Sequence, residues 1–217
     1  MTAHADDHAS TQGIQVTGRG VLLVEPDMAT VTLNVTAEDD AADALKARLD
    51  RVTEQVLKMV ARLDIKRRDV TAAMININPR YRREGQRSVL DGVQGSRSIV
   101  VVLRDLDRYG ALLDGALGLG INGVSGMSLD HSERARLEED ALGRAIDDAQ
   151  RRARFVADQF DVRLGALLDA EVQAGYSEPQ ARMMRSEAMN FDAGGDFSPG
   201  EIRITRDVRA LFAIRTR

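Results

Sequence analysis

The stretch that decides the fold is GIQVTGRGVLLVEPDMATVTLNVTA, residues 13–37. Its second half alternates apolar and polar residues almost without a break from Ala29 to Ala37. A period of two is typical of a strand with one buried face and one face in water. The interruption at Glu25-Pro26-Asp27 predicts a turn. We therefore expect two long strands that fold back on each other as a hairpin.

The first of these strands is less regular than the second. Ile14, Val16, Leu22 and Val24 share one parity, whereas Val21 and Leu23 have the other. The change of parity follows Gly18-Arg19-Gly20, and glycine inside a strand often marks a bulge. The sequence therefore predicts a bulge or kink at these glycines.

Composition limits the classes of function that the chain can have. Of its 217 residues, 43% are hydrophobic and 29% charged, as in an ordinary soluble globular protein. The net charge of −4 and the absence of tryptophan argue against a basic surface or a base-stacking platform. We therefore expect no nucleic-acid partner. Without cysteine the chain has no disulfide, no thiolate metal site and no cysteine nucleophile.

Neither a membrane segment nor a signal peptide is apparent in the sequence. The longest purely aliphatic run, Ile99 to Leu103, is far shorter than the ~20 residues of a membrane span. The first residues, MTAHADDHAST, lack the basic start and apolar core of a signal peptide. We expect a cytoplasmic protein from the sequence as it stands, and an exported or periplasmic one if a leader has been removed. Residues 1–12 are predicted to be a disordered tail, with metal binding by its histidines and aspartates as the alternative.

The rest of the chain divides into helices and strands by the same kind of pattern. Periodicity and capping residues predict them in this order: a helix from Asp39 or Asp40 to about Asp64; strands Asp69–Tyr81 and Val93–Leu103; a short helix capped by Asp105; a strand Val124–Leu129; a long helix to about Phe160; and strands Leu164–Gln173 and Glu201–Ile214. The long helix opens on a capping box, Asp130-His131-Ser132-Glu133. Its predicted buried stripe is Leu137, Ala141, Ala145, Ala149, Ala153, Val156 and Phe160.

The order β-β-α-β-β-α-β-α-β-β predicts an α+β fold. Its inner part, from the second strand to Leu129, is a ferredoxin-like βαββαβ unit. We expect a mostly antiparallel sheet with helices on one face. No linker divides the chain, so residues 13–217 are predicted to form a single domain.

One long segment, residues 174–199, has no periodicity and is therefore either functional or disordered. Methionine adapts well to interfaces and reacts with oxidants. The segment either contacts other molecules or folds onto its own domain. Its candidate oligomer or partner contacts are Tyr176, Met183, Met184, Met189, Phe191 and Phe197.

Residues suited to catalysis or ligand binding are few. His131 is the one histidine outside the tail, and its place at a helix start favours a capping or solvent role over that of a general base. We expect no enzyme, no metal site and no cofactor. Arginines in the predicted loop 80–92 offer a phosphate site, although acidic neighbours favour a solvated loop instead: Arg80, Arg82, Arg83 and Arg87.

Several motifs resemble those of SIMPL-domain proteins, in the right order over about residues 13–215. They include the string from Ile14 to Gly20, the string Asn78-Pro79-Arg80-Tyr81, and the run from Gly120 to Met127. One departure is Val93, where many members have an aromatic residue. The positions that carry the resemblance are Gly18, Gly20, Pro26, Asp27, Pro79, Tyr81, Gly92, Asp105, Asp107, Gly126, Pro199 and Gly200.

The resemblance implies a bacterial, non-catalytic protein that assembles into a homo-oligomer. Relatives include periplasmic immunogenic proteins, and some members are linked to the cell envelope or to oxidative-stress tolerance. The family has no accepted catalytic residues, so none are transferred to this sequence. The alternative is a small-ligand or partner-binding module that acts as a monomer or dimer.

Overall fold

A computed structural model describes residues 13–173 and 199–216 of the chain. Its strands and helices, in chain order, are β1 (Gly13–Val24), β2 (Met28–Asp39), α1 (Ala42–Arg62), β3 (Val70–Ala72), β4 (Asn76–Glu84), β5 (Arg87–Leu103), α2 (Tyr109–Gly118), β6 (Gly123–Asp130), α3 (Arg134–Gln159), β7 (Val162–Gln173) and β8 (Ile202–Thr216). The predicted α+β class and order of elements are confirmed. The strand predicted over Asp69 to Tyr81 is divided in two, as β3 and β4.

The described residues form two compact units. The central unit contains residues 25–132 with 199–200, and the terminal unit contains residues 13–24, 133–173 and 201–216. The predicted tail at residues 1–12 and residues 174–198 of the predicted loop lie outside the described residues. The single domain over residues 13–217 stays a prediction.

The central unit contains the predicted ferredoxin-like arrangement. Its sheet has the order β3-β5-β2-β6, with β4 also paired to β5, and every pairing is antiparallel. Because β2 alternates as predicted, Val31 and Leu33 are fully buried while Thr30 and Thr32 are only partly covered. The buried side of the sheet packs with α1 and α2 residues such as Leu49 in one apolar core.

Arg97 of β5 lies on the buried side of this sheet, although it is charged. Its Nη1 atom donates to Asp50 Oδ1 of α1 at 2.9 Å, and its Nε atom donates to the carbonyl oxygen of Ala73 at 2.8 Å. The second bond satisfies a backbone group in the short break between β3 and β4. A charged residue therefore joins helix and sheet where the strand is interrupted.

A two-stranded ribbon, formed by the ends of β4 and β5, extends beyond the end of β2. Every residue from 81 to 90 is exposed, and Tyr81 lies opposite Leu90. The pairing shifts register between Pro79 and Tyr81, opposite Gly92, whose φ is +95° and where a Cβ atom would lie 2.6 Å from the carbonyl oxygen of Asp39. Only glycine fits such a place without strain. The predicted loop at residues 80–92 is therefore strand for most of its length.

The terminal unit is a three-stranded antiparallel sheet of order β1-β8-β7, with α3 packed on it. The hairpin predicted between the first two strands is wrong, because β1 pairs with β8 over its whole length and β2 pairs with β5 and β6. Alternation along a strand indicates which face is buried, but it does not indicate which strand lies alongside.

Of the bulge or kink predicted at Gly18-Arg19-Gly20, the bulge is wrong, since the register of β1 with β8 is continuous there. The two glycines are buried under α3 instead. A Cβ atom on Gly18 would lie 2.7 Å from the Cβ atom of Ala149, and one on Gly20 would lie 2.7 Å from the backbone nitrogen of Ala145. Real Cβ atoms do not come that close. The glycines therefore allow the helix backbone to lie directly on the strand.

Helix α3 ends at Gln159, close to its predicted end, but its start differs from the prediction. It begins at Arg134, and the predicted capping box does not form, because the Asp130 carboxylate accepts the N–H of His131 and no side chain caps the helix at Glu133. The predicted stripe is right for its four alanines, which are buried. It is wrong for Phe160, which follows the helix and is 76% exposed.

We predict that Gly20→Ala lowers the free energy of unfolding by about 3 kcal/mol, because the added methyl overlaps the α3 backbone in a closely packed site. The matched control is Gly143→Ala, on the exposed side of α3, where a Cβ atom meets nothing within 4 Å. It should raise the free energy by about 1 kcal/mol, since alanine favours a helix over glycine. Chemical denaturation followed by circular dichroism measures both. Equal free energies of unfolding for Gly20→Ala and Gly143→Ala would show that a methyl group at Gly20 does not overlap the α3 backbone.

Candidate functional site

The charged cluster in the terminal unit is centred on Asp148 of α3, which is buried. Its Oδ2 atom accepts the backbone N–H of Arg19 at 3.0 Å and the Nε–H of Arg152 at 2.8 Å. Arg151 donates to the other carboxylate oxygen. No local sequence pattern indicates this cluster, because Arg19 and Asp148 are 129 positions apart.

These contacts hold the pKa of Asp148 below its ordinary value. The hydrogen bond from the Arg19 backbone is the largest cause, and the charges of Arg152 and Arg151 add to it, whereas burial acts in the opposite direction. Asp148 is therefore an anion at neutral pH. It accepts a proton poorly and serves to hold the strand against the helix.

The same helix caps part of the outer edge of β1. Asp148 binds the Arg19 N–H, and Arg144 Nη1 donates to the carbonyl oxygen of Val21 at 3.1 Å. A strand edge with unpaired backbone groups is a template for pairing with another chain, and side chains that bind those backbone groups prevent this. The edge of β1 is thus closed at Arg19 and Val21.

A groove of about 630 Å³ lies beside the preceding part of β1. Phe155 of α3 contributes an aromatic ring that is 64% exposed. The groove combines an apolar wall with two arginines at its side. Its lining residues are Val16, Thr17, Arg151, Arg152, Phe155 and Val156.

In the central unit, three residues of the types found in hydrolase active sites lie close together: Asp27, His131 and Ser132. The Oδ1 atom of Asp27 accepts the backbone N–H of Ser132 at 2.7 Å, and its Oδ2 atom accepts the Ser132 hydroxyl at 2.5 Å. His131 Nε2 lies 4.0 Å from the same carboxylate. This group is not apparent from the sequence either, because Asp27 is 105 positions from Ser132.

The hydrogen bonds of this group do not prepare a serine nucleophile. The hydroxyl of Ser132 donates to the carboxylate of Asp27, whereas a nucleophilic serine donates to a basic histidine. Burial acts to raise the pKa of Asp27, but the bonds from Ser132 and the charge of His131 outweigh it and lower the pKa. A carboxylate of lowered pKa is a weak base. The group therefore ties the segment between β1 and β2 to the segment after β6.

Asp69, in the central unit, has a buried carboxylate. Arg104 donates to its Oδ1 atom from Nε at 3.1 Å and from Nη2 at 3.0 Å. These bonds are the main cause that lowers the pKa of Asp69. A bidentate pair of this kind fixes the start of β3 beside the end of β5.

The arginine cluster predicted as a candidate phosphate site is partly neutralised. Arg80 pairs with Glu38 and Asp91, and Arg82 pairs with Glu84 and Asp91. Within the described part of the chain, Arg83 and Arg87 form no ion pair. All four lie along the ribbon of β4 and β5 rather than around one pocket, and the absence of a nucleic-acid partner stays a prediction.

Most of the positions that carry the family resemblance lie where the backbone turns or where two segments approach closely. Gly18 and Gly20 lie under α3, and Asp105 caps the turn before α2 by accepting the Asp107 N–H at 3.2 Å. Gly126 and Gly200 both have φ of +65°. The remaining positions are the Pro26-Asp27 linker, Pro79 and Tyr81 at the register shift, Gly92 opposite it, and Pro199 ahead of β8.

The predicted oligomer contacts lie outside the described residues: Tyr176, Met183, Met184, Met189, Phe191 and Phe197. Over residues 13–173 and 199–216, no three acidic or histidine side chains cluster closely enough to hold a metal ion. In the same residues, no helix has the length and apolar character that crossing a membrane requires.

The sequence matches one family model over residues 14–212, described as SIMPL, a protein of unknown function (DUF541). The chain is 29% identical over 217 residues to uncharacterized protein YggE of Escherichia coli strain K12, covering 99% of this chain and 88% of that protein. It is 30% identical over 188 residues to the protein of the same name from Edwardsiella ictaluri, covering 84% of this chain and 79% of that one.

A third relative is the 26 kDa periplasmic immunogenic protein of Brucella melitensis. It is 30% identical over 162 residues, which cover 72% of this chain and 64% of that protein. Among solved structures, an amidase of the hydantoinase/carbamoylase family from Burkholderia phymatum matches 66% of this chain and 39% of its own. Its TM-score of 0.26 and identity of 12% carry no argument about fold or function.

We predict that Asp148→Asn lowers the free energy of unfolding by about 2 kcal/mol at pH 7, because a charged hydrogen-bond acceptor is lost. The pKa of Asp148 is lower in the folded than in the unfolded chain. The contribution of the carboxylate is thus complete above the unfolded pKa of about 4 and is lost as the pH falls through the folded pKa.

The difference in the free energy of unfolding between Asp148→Asn and the natural chain should therefore shrink below pH 4. Denaturation curves measured at several pH values test this. The control is Asp147→Asn, one position earlier on the exposed side of α3. It should change the stability little at any pH. A difference for Asp148→Asn that stays constant down to pH 2 would contradict the assignment.

Proposed function

Because the chain belongs to the SIMPL family, whose model it matches over residues 14–212, we propose that it is a non-catalytic protein that assembles with copies of itself. The resemblance found in the sequence is confirmed. The family description names no activity, and the surface of the terminal unit supports the proposed molecular role.

The observation that carries the proposal is the edge of β7, beside which no strand lies in the described part of the chain. This strand of twelve residues is the last in the order β1-β8-β7. Leu167, Leu168 and Val172 are each about half exposed along it. A long edge strand with exposed apolar side chains is a template for pairing with another chain.

The irregular pairing of β7 with β8 explains why neighbouring leucines are both exposed. The register shifts on either side of Leu167. Such irregularities turn a side chain away from its regular face. The capped edge of β1 offers a contrast, since α3 binds backbone groups there at Arg19 and Val21. The apolar surface on β7 therefore favours association through this strand.

What supports the non-catalytic part of the proposal is the geometry around Asp27. Ser132, His131 and Asp27 are the residue types of a hydrolase, but the serine hydroxyl donates to a carboxylate of lowered pKa. Such an arrangement gives no general base to a nucleophile.

The proposal also includes a location and a biological setting. The Brucella relatives are named periplasmic, and we extend that location to this chain. The link to the cell envelope or to oxidative-stress tolerance comes from the family resemblance. Met74, in the break between β3 and β4, supports the link to oxidative-stress tolerance, because its side chain is 92% exposed and thioethers react with peroxide.

A second candidate function is a partner-binding module that acts as a monomer or dimer. The observation in its favour is the groove beside Phe155. The two candidates differ in the mass of the particle in solution, which light scattering after size exclusion measures directly.

We predict that the natural chain forms a particle of several copies and that Leu168→Lys shifts it toward the mass of one chain, because a lysine on the edge opposes strand pairing. The matched control is Leu117→Lys on α2, an equally long side chain that is 64% exposed in the central unit. It should leave the mass unchanged. A natural chain that is monomeric at every concentration would overturn self-assembly.

For the oxidative setting, we predict that hydrogen peroxide converts Met74 to the sulfoxide before Met59. Met74 is almost fully exposed, whereas Met59 packs against the core of the central unit and against Gly115. Peptide mass spectrometry over a time course measures both. Faster oxidation of Met59 would remove this support.

For the location, we predict that the protein is released by osmotic shock from the bacterium that makes it. Recovery with a cytoplasmic marker enzyme, and not with a periplasmic one, would contradict the proposal.

A further inference from the structure

The edge of β1 is closed over only part of its length. In a strand, alternate residues direct their backbone N–H and C=O groups to the same edge. Asp148 binds the N–H of Arg19 and Arg144 binds the C=O of Val21, so the odd-numbered residues of β1 face this edge. Gly13, Gln15 and Thr17 face it too. Over the described residues, no strand lies beside them.

The open part of the edge borders the groove described above. Val16 and Thr17 form one side of the groove, and α3 forms the other through Phe155 and Val156. Its volume of about 630 Å³ lies within the range of small-ligand sites. Phe155 is 64% exposed, so its ring is available to an apolar side chain. A strand edge beside an apolar groove on a helix suits a peptide in extended conformation, because the edge binds its backbone and the groove binds alternate side chains.

The charges beside the groove indicate which peptide fits. Arg151 and Arg152 share the single carboxylate of Asp148, and both side chains are more than half exposed. A guanidinium has five N–H donors, so donors remain on each arginine after its contact with Asp148. Two cations against one anion favour a further carboxylate at this position.

Other classes of ligand fit less well. A nucleic acid needs a positive surface, and the chain carries a net charge of −4. A lipid or a small anion would leave the backbone groups of Gly13 to Thr17 unused. Only a polypeptide offers backbone donors and acceptors, apolar side chains and a carboxylate together.

We propose that the edge of β1 from Gly13 to Thr17 and the groove beside Phe155 bind an extended acidic peptide segment of another protein. The segment adds to the three-stranded sheet as a fourth strand. It places an apolar side chain against Phe155 and a carboxylate on Arg151 and Arg152. Asp148 and Arg144 end the paired region at Arg19, so the bound segment is about five residues long.

The test uses fluorescein-labelled synthetic heptapeptides of alternating valine and threonine, each with one phenylalanine and one glutamate. The spacing and order of these two residues are varied across a panel. Binding to the full chain is measured by fluorescence anisotropy. We expect at least one member to bind at micromolar concentration. Its glutamine counterpart should bind about tenfold more weakly, a loss of about 1.4 kcal/mol. Methylation of alternate backbone nitrogens should abolish binding, since it removes the donors that pair with β1.

Matched variants locate the bound peptide. Phe155→Ala should weaken binding about tenfold, whereas Phe160→Ala should not, although Phe160 is more exposed and lies just beyond α3. Arg151→Gln should remove the preference for glutamate over glutamine. Arg154→Gln, on the same helix but outside the groove, should keep it. Melting curves of all four variants establish that they are folded. Hydrogen exchange should slow at residues 13–17 when the peptide binds.

Several results would overturn the proposal. One is the absence of binding by every acidic peptide at about 1 mM. Another is binding that Leu168→Lys abolishes and Phe155→Ala does not, which would place the peptide on β7. A third is a fall in particle mass when peptide is added, which would show that a second copy of the chain occupies the groove. The proposal does not depend on self-assembly, since a monomer that binds the peptide as described would uphold it.

Discussion

The terminal unit depends on the close approach of α3 to the glycines of β1. A helix backbone lies this near to a strand only where both surfaces are almost without side chains, and Gly18 and Gly20 meet buried alanines such as Ala145. The short distance has a second effect. It brings Asp148 within hydrogen-bond reach of the Arg19 backbone, and Arg144 within reach of the Val21 carbonyl. The packing of α3 on β1 therefore holds the terminal unit together and also determines which part of the β1 edge is closed.

The two edges of the terminal sheet consequently have different surfaces. The edge of β1 is capped by a charged helix and is open only beside an apolar groove with two arginines. Over the described residues, no strand lies beside the edge of β7, and Leu167 and Leu168 are exposed there. The edge of β1 supports the proposed binding of an acidic peptide, whereas the apolar edge of β7 supports the proposed pairing with a second copy of the chain. The proposed peptide site and the proposed self-assembly therefore use different strands and are tested separately.

Polar clusters in the central unit hold its segments together. Arg97 joins α1 to the interrupted sheet edge, Arg104 fixes the start of β3 through Asp69, and Asp27 holds the segment around Ser132. In each case the carboxylate lies within hydrogen-bond distance of its partners, and the pKa values of Asp27 and Asp69 are lowered. These groups stay charged at neutral pH and have little tendency to exchange protons. Each of them therefore holds two segments of the unit together.

The sequence indicates the family and the order of the helices and strands. Alternation from Ala29 to Ala37 gave the buried face of β2, and the spacing of apolar residues gave the order of helices and strands, because both patterns repeat over a few residues. Tertiary structure alone decided which strands are neighbours. It paired Gly18 with Val208 of β8, placed Asp148 on Arg19, and brought Asp27 to Ser132. Periodicity records which side of a strand meets a core, but it carries no signal for a partner more than a hundred residues away. The candidate site depends on contacts between residues that are far apart in the sequence. The physical reason is that the groove lies between the surfaces of β1 and α3, and no local sequence pattern connects these two elements.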